Sequence, residues 1–143
     1  MPVSEVTVVD DAILDALALL TPQLSRSAPA LNAEQLQELI DQPGVFLLAY
    51  RNEEDGPILG LLTLATFKIP TGLRAWIEDV VVDQETRGRG AGQQLVEAAV
   101  VKAQELGSRT VDLTSRPSRE AANRLYQRCG FELRETNVYR FAK

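Results

Sequence analysis

Histidine is absent from this sequence, and cysteine, tryptophan and methionine occur once each. Without imidazole, a Ser-His-Asp triad, a Cys-His pair, a histidine-ligated metal site and a histidine general base are all excluded. Proton transfer is left to carboxylate, tyrosine, lysine, backbone or water, and no metal is expected. The lone Cys129 cannot close an internal disulfide, which fits a reducing compartment. No apolar run approaches the ~20 residues of a membrane span, and the opening MPVSEVTVVDD lacks the basic start and apolar centre of a signal peptide. The expectation is a cytoplasmic protein with no membrane partner. Basic residues are in deficit too, with Lys+Arg 15 against Asp+Glu 20 and a formal net charge of −5, which argues against nucleic acid and weakly favours a cationic or neutral partner.

What is present reads as one globular domain over residues 1–143, with 45% hydrophobic and 24% charged residues and no internal repeat or linker. Ile13, Leu14, Leu17 and Leu20 share a helical face after Asp10 and Asp11. Asn32 with Gln35 forms a capping-box pattern ahead of Leu36, Leu39 and Ile40, and Pro43-Gly44 ends that helix. The period then shortens to two. Strands are expected at Val45 to Tyr50, Ile58 to Phe67 and Ala75 to Asp83, the first pair forming a hairpin across NEEDGP.

From Gly92, Leu95, Val96, Ala99, Val100, Ala103 and Leu106 recur at helical spacing up to Gly107. A strand at Thr110 to Ser115 would complete a βαβ unit. A helix capped by Ser118 carries Ala121, Ala122, Leu125, Tyr126 and Cys129, and strands at Phe131 to Glu135 and Val138 to Phe141 close the chain. The fold class is α/β or α+β with a mixed sheet.

Between the strand ending VVVD and the helix starting at Gly92 lies QETRGRGAG, where Arg87, Gly88, Arg89, Gly90, Ala91 and Gly92 follow one another. A glycine-rich loop feeding a helix N-terminus offers free N–H groups and the positive end of the helix dipole, so it suits an anion; a bare tight turn is the plainer reading. The P-loop pattern fails because Gln93-Gln94 follows Gly92. The dinucleotide fingerprint fails because the third glycine is replaced by Gln93 or Leu95.

Arg87-Gly88-Arg89-Gly90-Ala91-Gly92 resembles the Arg/Gln-x-x-Gly-x-Gly/Ala signature of the GNAT superfamily of acetyl-CoA-dependent N-acetyltransferases. Downstream, Ala122-Asn123-Arg124-Leu125-Tyr126 followed by Gly130-Phe131 resembles that family's next helix and turn. The likeness is dense from Trp76 to Phe141. It implies a twisted mixed sheet of about six to seven strands whose two central parallel strands splay apart over a cleft, with flanking helices. It also implies acetyl-CoA as cosubstrate, with backbone N–H groups of Arg87 through Gly92 and Gln93 cradling the pyrophosphate. Pantetheine would pair with Val80, Val81 and Val82 like an added strand. The resemblance admits a homodimer without fixing its interface.

Acetyl transfer needs a neutral amine, an oxyanion stabiliser and, optionally, a proton for the leaving thiolate. The resemblance implies direct attack without an acyl-enzyme, leaving Cys129 as a packed small residue. Tyr126 matches the family tyrosine near the CoA sulfur and is the expected acid, unless it only fills its helix stripe. Asn123 resembles a residue contacting pantetheine or pyrophosphate, or is simply an exposed polar position. Glu78 is the expected base, acting through water, with a solvated carboxylate as the alternative. Strand alternation puts Trp76, Glu78, Val80 and Val82 on one face and Ile77, Asp79, Val81 and Asp83 on the other, so Glu78 and Asp79 share a site only if a bulge intervenes.

The expected acceptor pocket lies among the helices of residues 10–40, a Phe67 to Arg74 loop and the closing hairpin with Tyr139, with Lys68 or Arg74 available to an anionic group. The acidic balance leans toward a basic acceptor, whereas Glu-Asp-Val-Val-Val resembles aminosugar-phosphate acetyltransferases. The reading is acetyl transfer to a primary amine of a small molecule or peptide in a ternary complex. A non-catalytic acyl-CoA-binding or sensor module is the alternative.

Overall fold

The structure is a computed structural model describing residues 2–142. Strand β1 (Val3–Glu5), too short to stand out in the sequence, pairs antiparallel with β2 (Val45–Arg51). β2 pairs with β3 (Ile58–Ile69), and β3 with β4 (Gly72–Val82), both antiparallel, giving the order β1-β2-β3-β4. The β3–β4 ladder reaches Ile69↔Gly72, so the expected Phe67 to Arg74 loop is almost wholly strand, closed by Pro70 and Thr71.

Helix α1 (Asp11–Leu24) begins at Asp10, whose carboxylate accepts from the Ile13 N–H at 3.1 Å, and it runs through Pro22 beyond the expected end at Leu20. Helix α2 (Ala33–Ile40) has the expected capping box: the Gln35 N–H donates to Asn32 Oδ1 at 2.8 Å and the Asn32 N–H to Gln35 Oε1 at 3.0 Å. Such caps contribute about 1 kcal/mol each. Helix α3 (Ala91–Glu105) lies between the sheet and the shorter α4 (Glu120–Arg128). The α4 N-cap is Arg119 rather than Ser118, without a side-chain cap bond.

Period-two alternation sorts the strands into two cores, one on each face of the sheet. Leu48, Tyr50, Leu62, Leu64, Ala75 and Ile77 pack with Ala91, Leu95, Val96, Ala99 and Ala103 of α3 and Tyr126 of α4. Leu47, Ala49, Leu61 and Val81 face Ile13, Ala16, Leu17 and Leu20 of α1 and Leu36 of α2. Gly60 admits Leu95 against the sheet, since a Cβ there would lie 3.1 Å from Leu95 Cδ1.

The alternation slips once in β4. Thr63 pairs with Glu78 and Leu61 with Val81, so Asp79 and Val80 together oppose Leu62 in a β-bulge, and Asp79 takes a φ of 51°. The phase therefore reverses. Ile77 packs on the α3 side and Val81 on the α1 side, although both numbers are odd, while Val80 and Val82 join the α3 side. The two-face assignment expected for residues 76–83 thus holds only on either side of the bulge.

The expected sheet of six to seven strands with central parallel strands is not formed: the described residues build four strands, all antiparallel. The segment at residues 110–115 makes a single parallel bridge, Trp76 to Asp112, in which the Ile77 N–H donates to Asp112 O at 2.9 Å and the Asp112 N–H to Ala75 O at 3.0 Å. Just beyond, the bulge turns β4 out of register, and the bridge does not propagate. The strands expected at residues 131–135 and 138–141 are also absent, because among the described residues that run makes no backbone hydrogen bond to a sheet edge.

Candidate active site

The elements around the bulge leave a cleft of about 160 Å³, lined by Ile77, Glu78, Asp79 and Val80 of β4, Leu113 and Thr114, Arg119 and Tyr126 of the α4 region, and Leu24 at the end of α1. The bulge is what brings both carboxylates to it. In a regular strand Glu78 and Asp79 would point to opposite faces; with the extra residue and the left-handed turn at Asp79, both border the same cleft. Both are exposed.

Tyr126 stands across the cleft, 7% exposed, with its ring tilted 57° against Phe131 at a centroid distance of 6.1 Å. Its hydroxyl makes no side-chain hydrogen bond among the described residues, so the phenol proton is available to the cleft. Burial pushes the phenol above its ordinary value of 10.0, opposed by the nearby Arg119 charge and reinforced by Cys129. It therefore stays protonated through the neutral range and serves as a donor.

The backbone beside the cleft is open. The Asp83 N–H donates to Leu59 O at 2.8 Å, which makes Leu61↔Val81 the next pair bonded toward β3 and turns the groups of Val82, and by alternation Val80, toward the outer edge. Val81 is buried, pointing to α1, whereas Val80 and Val82 are half-buried.

At the end of β4 the chain passes through a short 3-10 turn (Gln84–Thr86) into the glycine loop. Gln23 of α1 holds that entry: its Nε2 donates to Asp83 Oδ1 at 2.9 Å and its Oε1 accepts from the Gln84 N–H at 2.9 Å. Gly88 and Gly90 have φ of 92° and 79°, and Gly90 is the N-cap of α3 without a side-chain cap. A residue with a Cβ disfavours that conformation by roughly 1–2 kcal/mol. Gly92 answers a different need, close approach of α3 to α4, since a Cβ there would lie 3.1 Å from Leu125 Cδ2.

The result is a run of unpaired donors that starts one residue later than expected, because the Arg87 N–H donates to Gln84 O at 3.4 Å in the 3-10 turn. Among the described residues, none of the N–H groups of Gly88, Arg89, Gly90, Ala91, Gly92 and Gln93 donates within the protein; the first to do so is that of Gln94, to Gly90 O at 3.0 Å. Three belong to the first turn of a 15-residue helix, where the dipole adds positive potential. Arg87 and Arg89 are exposed and make no salt bridge among the described residues. The loop thus presents a row of free backbone donors of the kind that suits an anion.

Other expected residues lie apart. Asn123 is half-buried and its side-chain amide donates to Arg116 O at 3.0 Å, bracing the turn into α4. Arg74 pairs with Asp112 at 3.6 Å, and Tyr139 is 87% exposed, away from the cleft lining. Cys129 is half-buried with its thiol raised, by burial first, then by Glu97, against the opposing Arg128. That favours the inert thiol over a nucleophilic thiolate. Asp79 joins the site through the bulge that the sequence reading made the condition for it, whereas Thr114, Arg119, Leu24 and Gln23 were not anticipated. Of these four, Arg119 had a signal in the sequence, since it precedes Tyr126 by seven residues, two helical turns on one face.

No helix among the described residues is long and apolar enough to cross a membrane. No group of His, Cys, Asp and Glu among them could hold a metal ion. No curated protein matches the sequence. Among solved structures, a candidate acetyltransferase from Agrobacterium tumefaciens str. C58 superposes with a TM-score of 0.84 at 24% identity, covering 99% of this chain and 100% of its own. Glucosamine-6-phosphate N-acetyltransferase from Arabidopsis thaliana gives 0.79 at 18% identity, covering 99% and 97%. An aminoglycoside acetyltransferase from an uncultured soil metagenomic sample gives 0.78 at 19% identity, covering 99% and 95%. These likenesses concern the fold. Residues 13–131, which hold the cradle, the bulged strand and Tyr126, match the model of the acetyltransferase (GNAT) family, and the chain belongs to that family.

Proposed function

We propose that this chain, as one domain over residues 1–143, transfers an acetyl group from acetyl-CoA to a primary amine of a small molecule or peptide by direct attack in a ternary complex. Six consecutive unpaired N–H groups from Gly88 to Gln93 at the head of α3 carry this reading. They match a diphosphate, and GNAT acetyltransferases use acetyl-CoA as cosubstrate. Arg87 and Arg89 add screened attraction, and the outward backbone of Val80 and Val82 leads from the cradle to the cleft as a strand edge for pantetheine.

At the cleft the amine nitrogen attacks the thioester carbon, the carbonyl oxygen becomes the oxyanion, and the C–S bond breaks on collapse. Two proton movements complete it. Glu78 takes the ammonium proton through water, and the Tyr126 phenol donates to, or hydrogen-bonds, the leaving thiolate. Asp79 and Glu78 together oppose the single charge of Arg119 at the cleft, and Arg74 is engaged by Asp112, so the local balance favours a cationic acceptor over a phosphorylated one. The aminoglycoside and glucosamine-6-phosphate enzymes of the same fold have names that specify amino-sugar acceptors, which supports a sugar-sized amine as the first class to assay.

The direct test is CoA-thiol release with acetyl-CoA across a panel of aminoglycosides, polyamines, amino sugars and N-terminal peptides, with mass detection of the product. Turnover on a cationic amine is expected. Tight CoA binding without turnover on any amine would show a non-catalytic acyl-CoA-binding module instead.

A further inference from the structure

Gln23 ties the wall of the cleft to the entry of the glycine loop. Its Nε2 donates to Asp83 Oδ1 at 2.9 Å and to Leu19 O at 3.2 Å, and its Oε1 accepts from the Gln84 N–H at 2.9 Å. The partners fix which way the amide points, because a carboxylate can only accept and a backbone N–H can only donate. The side chain is half-buried and its amide is fully engaged.

The end of α1 has little else to hold it. Leu20 is the last buried side chain of the helix, and Pro22, which has no N–H, removes the backbone bond that would run back to Ala18. Among the described residues, no other hydrogen bond ties residues 21–31 to an element besides α1. The next contact with the core is that of Leu31. Leu24, the last residue of α1 and 40% exposed, nevertheless lines the cleft with Glu78, Asp79 and Tyr126.

The partners of Gln23 belong to the opposite wall. Asp83 follows β4, the strand of Glu78 and Asp79, and is the N-cap of the 3-10 turn without a side-chain cap bond. Its carboxylate is turned to Gln23, and Gln23 caps the Gln84 N–H in its place, from 61 residues away. The Gln84 carbonyl accepts from the Arg87 N–H, the last donor engaged before the free ones begin at Gly88.

We propose, resting on the acetyl transfer proposed above, that Gln23 is a positioning residue that couples the two ends of the site. One amide sets the distance of Leu24 from the bulge carboxylates and the angle at which the chain enters the glycine loop. An anion on the loop donors acts on Gln84, Gln84 on Gln23, and Gln23 on the turn that carries Leu24. By linkage, an acceptor in the cleft strengthens the loop's hold on CoA by the factor that CoA strengthens acceptor binding. Gln23 does not line the cleft, so turnover at saturation is left to Glu78, Asp79 and Tyr126.

Exchanging carboxylate and amide tests this by steady-state kinetics and CoA calorimetry. Gln23→Glu sets two carboxylates against each other and is expected to raise the acceptor KM on the order of tenfold and the CoA Kd about threefold, with kcat within about twofold of wild type. Asp83→Asn keeps an accepting Oδ1 and is expected to stay near wild type. Gln23→Glu/Asp83→Asn restores both hydrogen bonds with the roles exchanged, and both constants are expected to return to within about twofold of wild type. Unchanged constants in Gln23→Glu, a loss confined to kcat, or a double variant no better than Gln23→Glu overturns the positioning role.

Should Gln23→Glu not fold, or no amine be turned over, amide shifts of the wild type decide. The probe is the nucleotide half of CoA, ending at its diphosphate, which meets the loop and lacks the arm that would touch the cleft. Shifts at Gly88 through Gln93 are expected to be accompanied by shifts at Leu24 and Ser25. Loop shifts with Leu24 and Ser25 unmoved overturn the coupling alone. No loop shift overturns the coupling, and where intact CoA gives none either, the proposed function falls with it.

Discussion

At the glycine loop the groups on offer are backbone N–H groups held by φ angles and a helix start; at the bulge they are the side chains of Glu78 and Asp79, brought together by a one-residue irregularity, with Tyr126 of α4 opposite. On the proposed function, the first end recognises a charge common to every CoA thioester. The second must distinguish one amine from another. A backbone site is insensitive to most side-chain replacements but vulnerable wherever a Cβ or an opposite charge enters. A side-chain site can lose its function to a single atom.

Substitutions separate the two ends, and the largest effect is expected at the cradle. Gly90→Asp puts a side chain at a φ of 79° and a negative charge among the free N–H groups, and should weaken CoA binding more than 100-fold by calorimetry. Since the nearest neighbour to a Cβ there is Gln94 Nε2 at 3.9 Å, a clash is not the cause, and Gly90→Ala, which shares the φ strain but brings no negative charge, should lose far less affinity. At the other end, Tyr126→Phe should lower kcat on the order of 10²-fold while leaving the CoA Kd within twofold. Equal losses in both quantities would merge the two ends into one.

Glu78→Gln should lower kcat about tenfold, with Asp79→Asn changing acceptor KM more than kcat. A reversal of those two patterns would exchange the roles of the bulge carboxylates. Gly92→Ala should cost about 1–3 kcal/mol of stability, read by urea denaturation, as Leu125 yields to the added methyl at 3.1 Å.

The smallest effect concerns Tyr126 ionisation. Its folded pKa is raised by burial, so its contribution to stability is complete below the unfolded value of about 10 and is lost as pH rises through the folded value. The stability difference between wild type and Tyr126→Phe should therefore be flat from pH 6 to 9 and shrink only in stronger alkali.

The same contrast explains what could be read from the sequence. The glycine loop ahead of a helix was legible because glycine, helix start and apolar stripe are local signals, and Asn32-Gln35 and the β2–β3 strands were legible for the same reason. The bulge was not. Period-two reading carries Glu78 and Asp79 to opposite faces, and only the pairing of Thr63 with Glu78 and Leu61 with Val81 reveals the slipped residue. β1 is three residues long and is defined by its partner β2 rather than by its own pattern. The alternation of residues 131–141 was legible as strand-forming, but a strand needs an edge, and none is met among the described residues. Local chemistry was readable, and pairing across distance was not.

Amide chemical-shift mapping by NMR on addition of CoA tests the central claim most directly. If the six free N–H groups hold the pyrophosphate, the resonances of Gly88 through Gln93 should show the largest downfield shifts in the chain, and desulfo-CoA should reproduce them. Largest shifts elsewhere, with Gly88 to Gln93 unmoved at saturating CoA, would contradict it.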